Sequence, residues 1–416
     1  MPSIDGLLTV IDDNEERMIE ALIEMLRIPA IGPENGGDGE FERARFIMEM
    51  LKDFGFEEVE MYDALDERVR LRQRPNIIAK KKGESERTVW VVTHMDTVPP
   101  GDLDAWMQPP FAPKVENGKV YGLGAEDNGQ AIIASIFAAK AMLSLEESPK
   151  NSLGLAIVAD EEAGSQKGIE FLIQEGVFGK DDIIYVPDFG SKEGDVIEIA
   201  EKTILWLRIM VDGKQTHAST PDEGINALKV GSQFLVFLLD QLNSMYGRRD
   251  TLFMPDRSTF EPTKRLMTVG NVNTVPGEDV FYIDIRLLPY YDPNNVIENA
   301  KKVARIFEDR SGARIEVGVE QLGKTGEPSP MEGEAIDTLK EAIKRVRGVD
   351  ARSCGIGGGT CANIFRQHGF QAYAWETVEG MAHTPDEYCK VDNLVSDSKV
   401  FAQIFARLCY PDQFGE

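Results

Sequence analysis

Two residues suited to a metal site, His94 and Asp96, stand at the end of an apolar run that begins at Val89 and leads into a proline turn. Apolar runs of this kind form strands covered on both faces, and functional residues in such sheets collect at the carboxyl ends of the strands. On a strand, the side chains of a His-x-Asp pair point to one face. The carboxylate can then accept a bond from one imidazole nitrogen while the other nitrogen binds a metal. Alone, the pair does not distinguish a ligand from an ordinary strand-end histidine.

Acids or a histidine follow apolar segments at four other places. Asp127 lies in a glycine-rich loop before a long apolar helix, where an N-cap role is the alternative. Glu161 and Glu162 close a strand in a run of three acids, which repel one another unless a cation or solvent intervenes. Asp188 and His383 follow two further strand-like runs, and each has a capping or turn role as its alternative.

Strands of one sheet bring their carboxyl ends together, so these residues are expected to meet. Two imidazoles and three carboxylates suit zinc, with manganese or cobalt as substitutes; the predicted ligands are His94, Asp127, Glu162, Asp188 and His383. Five ligands divide over two divalent metal ions if one carboxylate bridges them, and two such ions would activate a water and polarise a carbonyl. Neighbours on a strand face opposite ways, so Glu162 is assigned to a metal and Glu161 to the general base.

The elements that must position these residues alternate in type. The predicted helices cover residues 14–28, 39–55 and 128 to about 145, and the predicted strands cover 86–98, 152–160 and 182–187. This alternation predicts an α/β fold with a mostly parallel sheet flanked by helices.

From residue 203 the pattern changes. The predicted order is strand 203–212, helix 221–246, strands 264–272 and 279–288, helix 293–312 and strand 313–320. This βαββαβ order is that of a ferredoxin-like α+β unit. The sequence therefore predicts a catalytic domain made of residues 1–202 and 323–416, with an inserted domain at 203–322.

Composition limits the partners. A formal net charge of −26 argues against nucleic acid or an anionic membrane, because both require a basic surface. No secretion signal or membrane-spanning run is recognisable, and the four cysteines show no Cys-x-x-Cys spacing. We expect a cytoplasmic protein with reduced, buried thiols.

The whole set of motifs resembles the co-catalytic dinuclear zinc amidohydrolases and exopeptidases. This family includes succinyl-diaminopimelate desuccinylase, acetylornithine deacetylase, aminoacylase and glutamate carboxypeptidase. The resemblance implies a zinc exopeptidase-like catalytic domain in which Asp96 orients His94 without binding metal and Asp127 bridges two ions. It also implies a cis peptide bond after Asp127, where Asn128 replaces the lysine frequent in the family.

In the inserted domain, residues 213–219 resemble the family's turn in which a histidine, here His217, reaches the substrate carbonyl, often from the partner subunit. Asn273 and Arg286 match positions that contact substrate, and a guanidinium suits a substrate carboxylate. The alternatives are an exposed turn histidine and a surface arginine. The resemblance implies a homodimer formed through the inserted domain.

The glycine-rich segment before Cys361 resembles the family's carboxylate-binding Gly-Gly-Thr loop, here Gly358, Gly359 and Thr360. The family often continues with Ser-Asp, so Cys361 leaves the acyl group undefined. His368 is interpreted as a helix C-cap and not as a ligand.

These observations predict a hydrolase that cleaves an amide bond beside a free carboxylate in a small-molecule substrate. An N-acyl amino acid deacylase and a metallo-exopeptidase both fit. The alternative that is not an enzyme is a catalytically silent relative that binds metal or an amino acid as a regulator. Such a protein would be expected to lose the base or a metal ligand.

Overall fold

The computed structural model describes residues 3–266 and 268–414. The helices in these residues are α1 (Ile4–Asp12), α2 (Glu15–Leu26), α3 (Phe41–Asp53), α4 (Ala131–Leu143), α5 (Ile169–Gln174), α6 (Ala227–Met245), α7 (Pro293–Ser311), α8 (Glu334–Arg347), α9 (Cys361–Gln367), α10 (Val391–Cys409) and α11 (Pro411–Phe414). The strands are β1 (Glu58–Leu65), β2 (Gln73–Lys81), β3 (Thr88–His94), β4 (Lys114–Glu116), β5 (Lys119–Tyr121), β6 (Ser152–Val158), β7 (Ile183–Ser191), β8 (Val196–Glu201), β9 (Thr203–Asp212), β10 (Thr216–His217), β11 (Thr259–Leu266), β12 (Thr274–Val275), β13 (Glu278–Leu287), β14 (Arg314–Leu322), β15 (Arg352–Ile356), β16 (Ala372–Thr377) and β17 (Tyr388–Lys390).

The chain divides into two compact units. The first comprises Met1–Ile199, Pro328–Ser353 and Thr360–Glu416, and the second comprises Ala200–Glu327 and Cys354–Gly359. The second unit is therefore somewhat longer than the predicted insertion at 203–322, and it includes a segment that sequence reasoning placed in the catalytic domain.

Backbone pairing explains why this short segment joins the second unit. Gly355 donates its N–H to the carbonyl of Leu252 at 2.7 Å and forms a bridge with Phe253. A Cβ at Gly355 would lie 2.5 Å from the ring of Phe253, so only glycine allows this close approach. Such a contact between distant segments leaves no periodic pattern in the sequence.

The first unit contains an eight-stranded sheet in the order β1-β2-β6-β3-β7-β16-β8-β15. Strands β6, β3, β7 and β16 pair in parallel at its centre, whereas β1, β2 and β6 pair antiparallel at one edge. Every residue of β3, β6 and β16 is buried, as expected for central strands covered by helices. Gly154 on β6 accommodates Trp90, whose ring would lie 2.4 Å from a Cβ at that position.

The edge strands β1 and β15 and the inner strands β2 and β8 were not predicted. β1 is largely exposed, and β2 buries the polar side chains of Arg74 and Asn76, so neither strand shows an apolar run. Strand β6 ends at Val158, two residues before the end of the predicted strand. β7 is longer than predicted and carries Asp188 within it.

The second unit has the predicted element order β9-α6-β11-β13-α7-β14, and its four strands form an antiparallel sheet in the order β11-β13-β9-β14. One face of the sheet packs with the two helices. Its core includes Leu205, Leu207, Ile209, Phe281, Ile283, Ile285, Phe234 and Val296.

Two elements of the second unit differ from their predicted positions. The helix begins at Ala227, because Pro221–Glu223 forms a separate turn and the Asn226 side chain caps the helix. β11 covers Thr259–Leu266, whereas the strand was predicted at 264–272, of which residue 267 lies outside the described residues. Pro262 interrupts the register of β11, which is tolerated because the strand is at the sheet edge.

No helix within the described residues is long and apolar enough to cross a lipid bilayer.

Candidate metal centre

His94 ends the buried strand β3 and is surrounded by acids. Its Nε2 atom lies 2.8 Å from Asp127 Oδ1 and 3.5 Å from Asp188 Oδ1. One ligand atom from each of these three side chains lies within 4.8 Å of the others. The imidazole is buried, so this first group of donors is largely shielded from solvent. We call His94, Asp127 and Asp188 the His94 trio.

A second group of donors shares Asp127 with the first. His383 Nε2 lies 3.1 Å from Asp127 Oδ2 and 3.1 Å from Glu162 Oε2. Asp127, Glu162 and His383 also keep one ligand atom each within 4.8 Å of the others, and we call them the His383 trio. The two oxygens of Asp127 thus face different histidines, which is the arrangement that a bridging carboxylate requires.

The loop that carries Asp127 is irregular. Gly124 has a φ of 81°, and the peptide bond between Asp127 and Asn128 is cis, as the family resemblance implied. The Asn128 side chain accepts the backbone N–H of His94 at 3.3 Å and donates to the carbonyl of Pro187. Asn128 therefore connects the Asp127 loop to the ends of β3 and β7, the strands that carry His94 and Asp188.

Asp96 was predicted to orient His94, and its nearest contact with the imidazole is made by the main chain and not by the carboxylate. His94 Nδ1 lies 3.1 Å from the backbone oxygen of Asp96 and 3.5 Å from its carboxylate. The carboxylate instead accepts the N–H groups of Glu161 at 3.1 Å and Glu162 at 3.0 Å. Asp96 thus supports the His94 ring through its main chain and holds the acidic turn with its side chain.

Glu161 and Glu162 do not lie on a strand, so the prediction that strand alternation separates their side chains is wrong. Both belong to a single helical turn, Glu161–Ala163, that follows Asp160 in a left-handed conformation with a φ of 66°. The turn nevertheless separates the two side chains. Glu162 belongs to the His383 trio, whereas Glu161 groups with Asp188 and Cys361.

A buried ion pair at Asp160 stabilises the turn that carries Glu161 and Glu162. Asp160 Oδ1 lies 3.2 Å from Arg74 Nη1, and Arg74 also forms a two-bond pair with Glu40. The Asp160 carboxylate also accepts the N–H of Lys167 at 2.8 Å. Breaking a buried pair of this kind leaves an uncompensated charge, so the network fixes the turn that presents Glu161.

The acids and histidines shift one another's pKa values. Burial lowers the pKa of His94, but its hydrogen bonds to Asp127, Asp188 and Asp96 outweigh this and raise it well above the usual range. Hydrogen bonds to Asp127 and Glu162 raise the pKa of His383 to about 10. Burial opposes ionisation of Asp127, yet bonds from the two histidines hold its pKa low.

The pKa of Glu161 shifts in the direction opposite to that of Asp127. Burial and the charge of Asp188 raise the pKa of Glu161 well above its usual range. Burial likewise raises the pKa of Glu162 and of Asp188. The crowded carboxylates thus favour positive charge on the neighbouring imidazoles, and divalent cations would supply such charge. The donor types and their grouping fit two such ions.

The other predicted site residues lie elsewhere. His217 is exposed on β10, with Nδ1 2.7 Å from Ser219 Oγ, and the next residue donates its N–H to the carbonyl of Asn273 at 2.9 Å. The second unit thus brings the His217 turn and Asn273 together. Arg286 donates to Asp284 at 2.8 Å and to the carbonyl of Gly357 at 2.7 Å, so its guanidinium already has a carboxylate partner.

The glycine-rich loop is divided between the two units. Gly358 and Gly359 belong to the second unit. Thr360 belongs to the first, where its hydroxyl oxygen caps α9 by accepting the N–H of Ala362 at 3.2 Å. His368 is the C-cap of the same helix, as predicted, and its Nε2 lies 3.0 Å from Glu170 Oε2.

Known proteins are similar to this chain in sequence and in fold. The model of peptidase family M20/M25/M40 matches residues 90–407. An uncharacterized metallohydrolase of Methanocaldococcus jannaschii is 36% identical over 407 residues, which cover 94% of this chain and 98% of the relative. The chain belongs to peptidase family M20/M25/M40.

A succinyl-diaminopimelate desuccinylase of Thioalkalivibrio sulfidiphilus is 25% identical to this M20 protein over 390 residues, covering 92% of this chain and 97% of the relative. Aminopeptidase PepT from Bacillus cereus has a TM-score of 0.74 at 18% identity, covering 95% of this chain and 99% of its own. A dinuclear metal-binding M20 peptidase of Bacillus subtilis has a TM-score of 0.67 at 16% identity, covering 96% and 99%. The resemblance and the α/β fold class are confirmed, and this M20 protein is a metal-dependent hydrolase.

Sequence reasoning missed four buried charged residues of the M20 centre: Glu40, Arg74, Glu126 and Glu387. Glu126 and Glu387 lie one and four residues from the predicted ligands Asp127 and His383. An acid so near a predicted ligand is the signal that could have found them. No comparable signal marks Glu40 and Arg74, because their partners are distant in the chain.

Proposed function

We propose that the protein hydrolyses an amide bond in an N-acyl amino acid or a related carboxylate-bearing small molecule, with two divalent metal ions as cofactors. Zinc is the proposed metal, with cobalt or manganese as substitutes. The observation that supports this best is the pair of donor trios that share Asp127, with Glu161 beside them.

Each ligand has a proposed role that follows from its contacts. His94 and Asp188 would hold one ion, Glu162 and His383 would hold the other, and Asp127 would serve both. Asp96 is a positioning residue, because its carboxylate holds the turn that carries Glu162 and its main chain contacts His94. When bound, the two ions supply Lewis-acid polarisation of the substrate carbonyl and activation of water.

Glu161 is the proposed general base. Its carboxylate is partly buried near Asp188, and burial and the charge of Asp188 raise its pKa, which makes the ionised carboxylate a stronger base. Glu161 would take a proton from the attacking water and return it to the nitrogen of the leaving amine. Its neighbour Glu162 is engaged with His383 and cannot share this role.

The second unit supplies the proposed substrate contacts. His217 would donate to the substrate carbonyl oxygen, with Asn273 beside it, and Arg286 would bind the substrate carboxylate by exchanging part of its pairing with Asp284. Backbone amides of Gly358 and Gly359 and the hydroxyl of Thr360 are further candidates for carboxylate binding. We also propose a homodimer formed through the inserted unit, with His217 acting in its own subunit or in its partner.

A metallo-exopeptidase is the second candidate, favoured by the match to a peptidase family. A substrate panel separates the two: N-succinyl and N-acetyl amino acids on one side, dipeptides on the other, each assayed with zinc, cobalt and manganese. Release of amino acids from dipeptides alone would reject the deacylase. The four buried cysteines form no disulfide, which supports the proposal of a reducing compartment such as the cytoplasm.

Replacing the base tests the mechanism itself. Glu161→Gln should lower turnover by about 10²-fold to 10⁴-fold, the usual contribution of general acid–base catalysis, while two metal ions stay bound. Glu170→Gln is the matched control, since that side chain contacts His368 and none of the predicted ligands. Unchanged turnover in Glu161→Gln, with metal content verified, would reject the assignment.

A further inference from the structure

A buried carboxylate beside the bridging ligand holds the loop that carries His383. Glu126 precedes Asp127 in the chain, and its side chain is buried. Its Oε1 atom accepts the N–H of Glu379, and its Oε2 atom accepts the N–H groups of Met381 and Ala382, the latter at 3.2 Å. Glu126 thus holds three backbone amides immediately before His383.

A second buried carboxylate makes the opposite connection. Glu387 follows His383 by four residues and is also buried. Its oxygens accept the N–H of Gly124 at 2.8 Å, of Glu126 at 2.9 Å and of Asp127 at 3.0 Å. Glu387 thus holds three backbone amides of the loop that carries Asp127.

The two ligands need this support to different degrees. The His383 side chain is 53% exposed, so packing does little to fix it, and its backbone has a φ of 60°. Asp127 is 18% exposed and contacts both histidines. Fixing the main chain on one side of each ligand restricts where the ligand atom can lie.

We propose that Glu126 and Glu387 form a reciprocal carboxylate clamp that sets the distance between Asp127 and His383 and so determines the affinity of the metal centre. Each acid is attached to one ligand loop and holds the other by three N–H bonds to a charged acceptor, which are stronger than bonds between neutral groups. Both are positioning residues, since neither belongs to a donor trio. This inference rests on the proposed two-metal function.

The clamp predicts unequal effects on the two metal ions. Releasing the His383 loop affects only the His383 trio, so Glu126→Gln should weaken one of two metal equivalents by roughly 10-fold to 100-fold, as is usual for residues that support metal ligands. Releasing the Asp127 loop affects both trios, because they share that residue. Glu387→Gln should therefore weaken both equivalents.

Two measurements test this. Titration calorimetry of the full-length, metal-stripped protein with zinc gives both affinities, and hydrogen–deuterium exchange of the metal-free protein reports on the amides. Glu126→Gln should speed exchange at residues 379–382, and Glu387→Gln should speed it at residues 124–127. The matched control is Asp386→Asn, which removes the same charge from the same loop and leaves both sets of clamp bonds in place.

Each outcome has a defined meaning. Affinities and exchange equal to those of Asp386→Asn in both variants would overturn the clamp. Equal weakening of both equivalents in Glu126→Gln would also overturn it, since the loops would then not be held separately. If Glu387→Gln does not fold, Glu126→Gln alone decides by the same criteria. A wild-type protein that binds no second metal contradicts the proposed function instead, while the exchange measurement still tests the clamp.

Discussion

The two units hold their candidate functional residues in different ways. In the first unit, four of the five proposed ligands are at least four-fifths buried, and their loops are tied by carboxylates and by Asn128 to distant parts of the chain. In the second unit, His217 is exposed and contacts mainly its own turn. The candidate metal centre is therefore pre-organised by distant contacts, whereas the proposed substrate contact at His217 is held mainly by its own turn.

The largest expected effect comes from removing the residue that both trios share. Asp127→Ala should leave fewer than two bound metal ions and lower kcat/KM by about 10³-fold or more, because metal polarisation is worth several kcal/mol. Metal content by mass spectrometry and steady-state kinetics check this. If the variant still bound two ions tightly, Asp127 would not be a shared ligand, and the first unit would not differ from the second in the way described.

A smaller effect is expected at His217. His217→Ala should lower kcat by about 10²-fold, the usual cost of losing one donor to a developing oxyanion, with both metal ions retained. Ser219→Ala is the control, since it removes only the hydroxyl that contacts His217 Nδ1. Loss of metal in His217→Ala would contradict the assignment of ligands to the first unit alone.

Arg286 should affect binding more than turnover. Arg286→Lys keeps the charge and removes the planar fork, so KM should rise about tenfold for substrates with a free carboxylate. The same substrates with that carboxylate amidated should bind wild type and variant alike. An equal loss for both kinds of substrate would show that Arg286 serves its contacts with Asp284 and Gly357 and not the substrate.

A pH dependence of metal affinity is expected in the first unit. Because the pKa of His383 is raised to about 10, this imidazole holds a proton at neutral pH in the metal-free protein. A metal must displace that proton, so affinity should rise with pH up to about 10, by about tenfold per unit for each proton displaced. Calorimetry in buffers of different ionisation enthalpy counts these protons, and absence of proton release would contradict the prediction.

The candidates of the first unit could be identified from the sequence because each follows a strongly apolar strand or, for Asp127, precedes a strongly apolar helix. His94 and Asp188 are examples, since parallel strands bring their ends together whatever the details of the loops. The geometry of Glu161 and Glu162 could not be predicted, because a left-handed residue at Asp160 turns the chain out of the strand.

The remainder of the fold depends on contacts between distant segments. β2 buries Arg74 against Glu40, so its sequence looks polar although the strand lies inside the sheet. Glu126 and Glu387 have no local periodicity, and their partners lie 253 to 263 residues away. Sequence reasoning from neighbouring residues finds elements and motifs, but not pairings of this range.

The clamp also has a consequence for synthesis of the protein. The backbone amides of Gly124 and Asp127 donate to the carboxylate of Glu387, which follows them in the chain by 263 and 260 residues. At about 5 to 20 residues per second, the ribosome adds those residues in roughly 13 to 50 s. During that interval the nascent chain contains the Asp127 loop but lacks Glu387, the residue that holds this loop in the folded protein. Any fragment that stops before Glu387 should therefore be inactive, since it lacks the acceptor that holds the Asp127 loop.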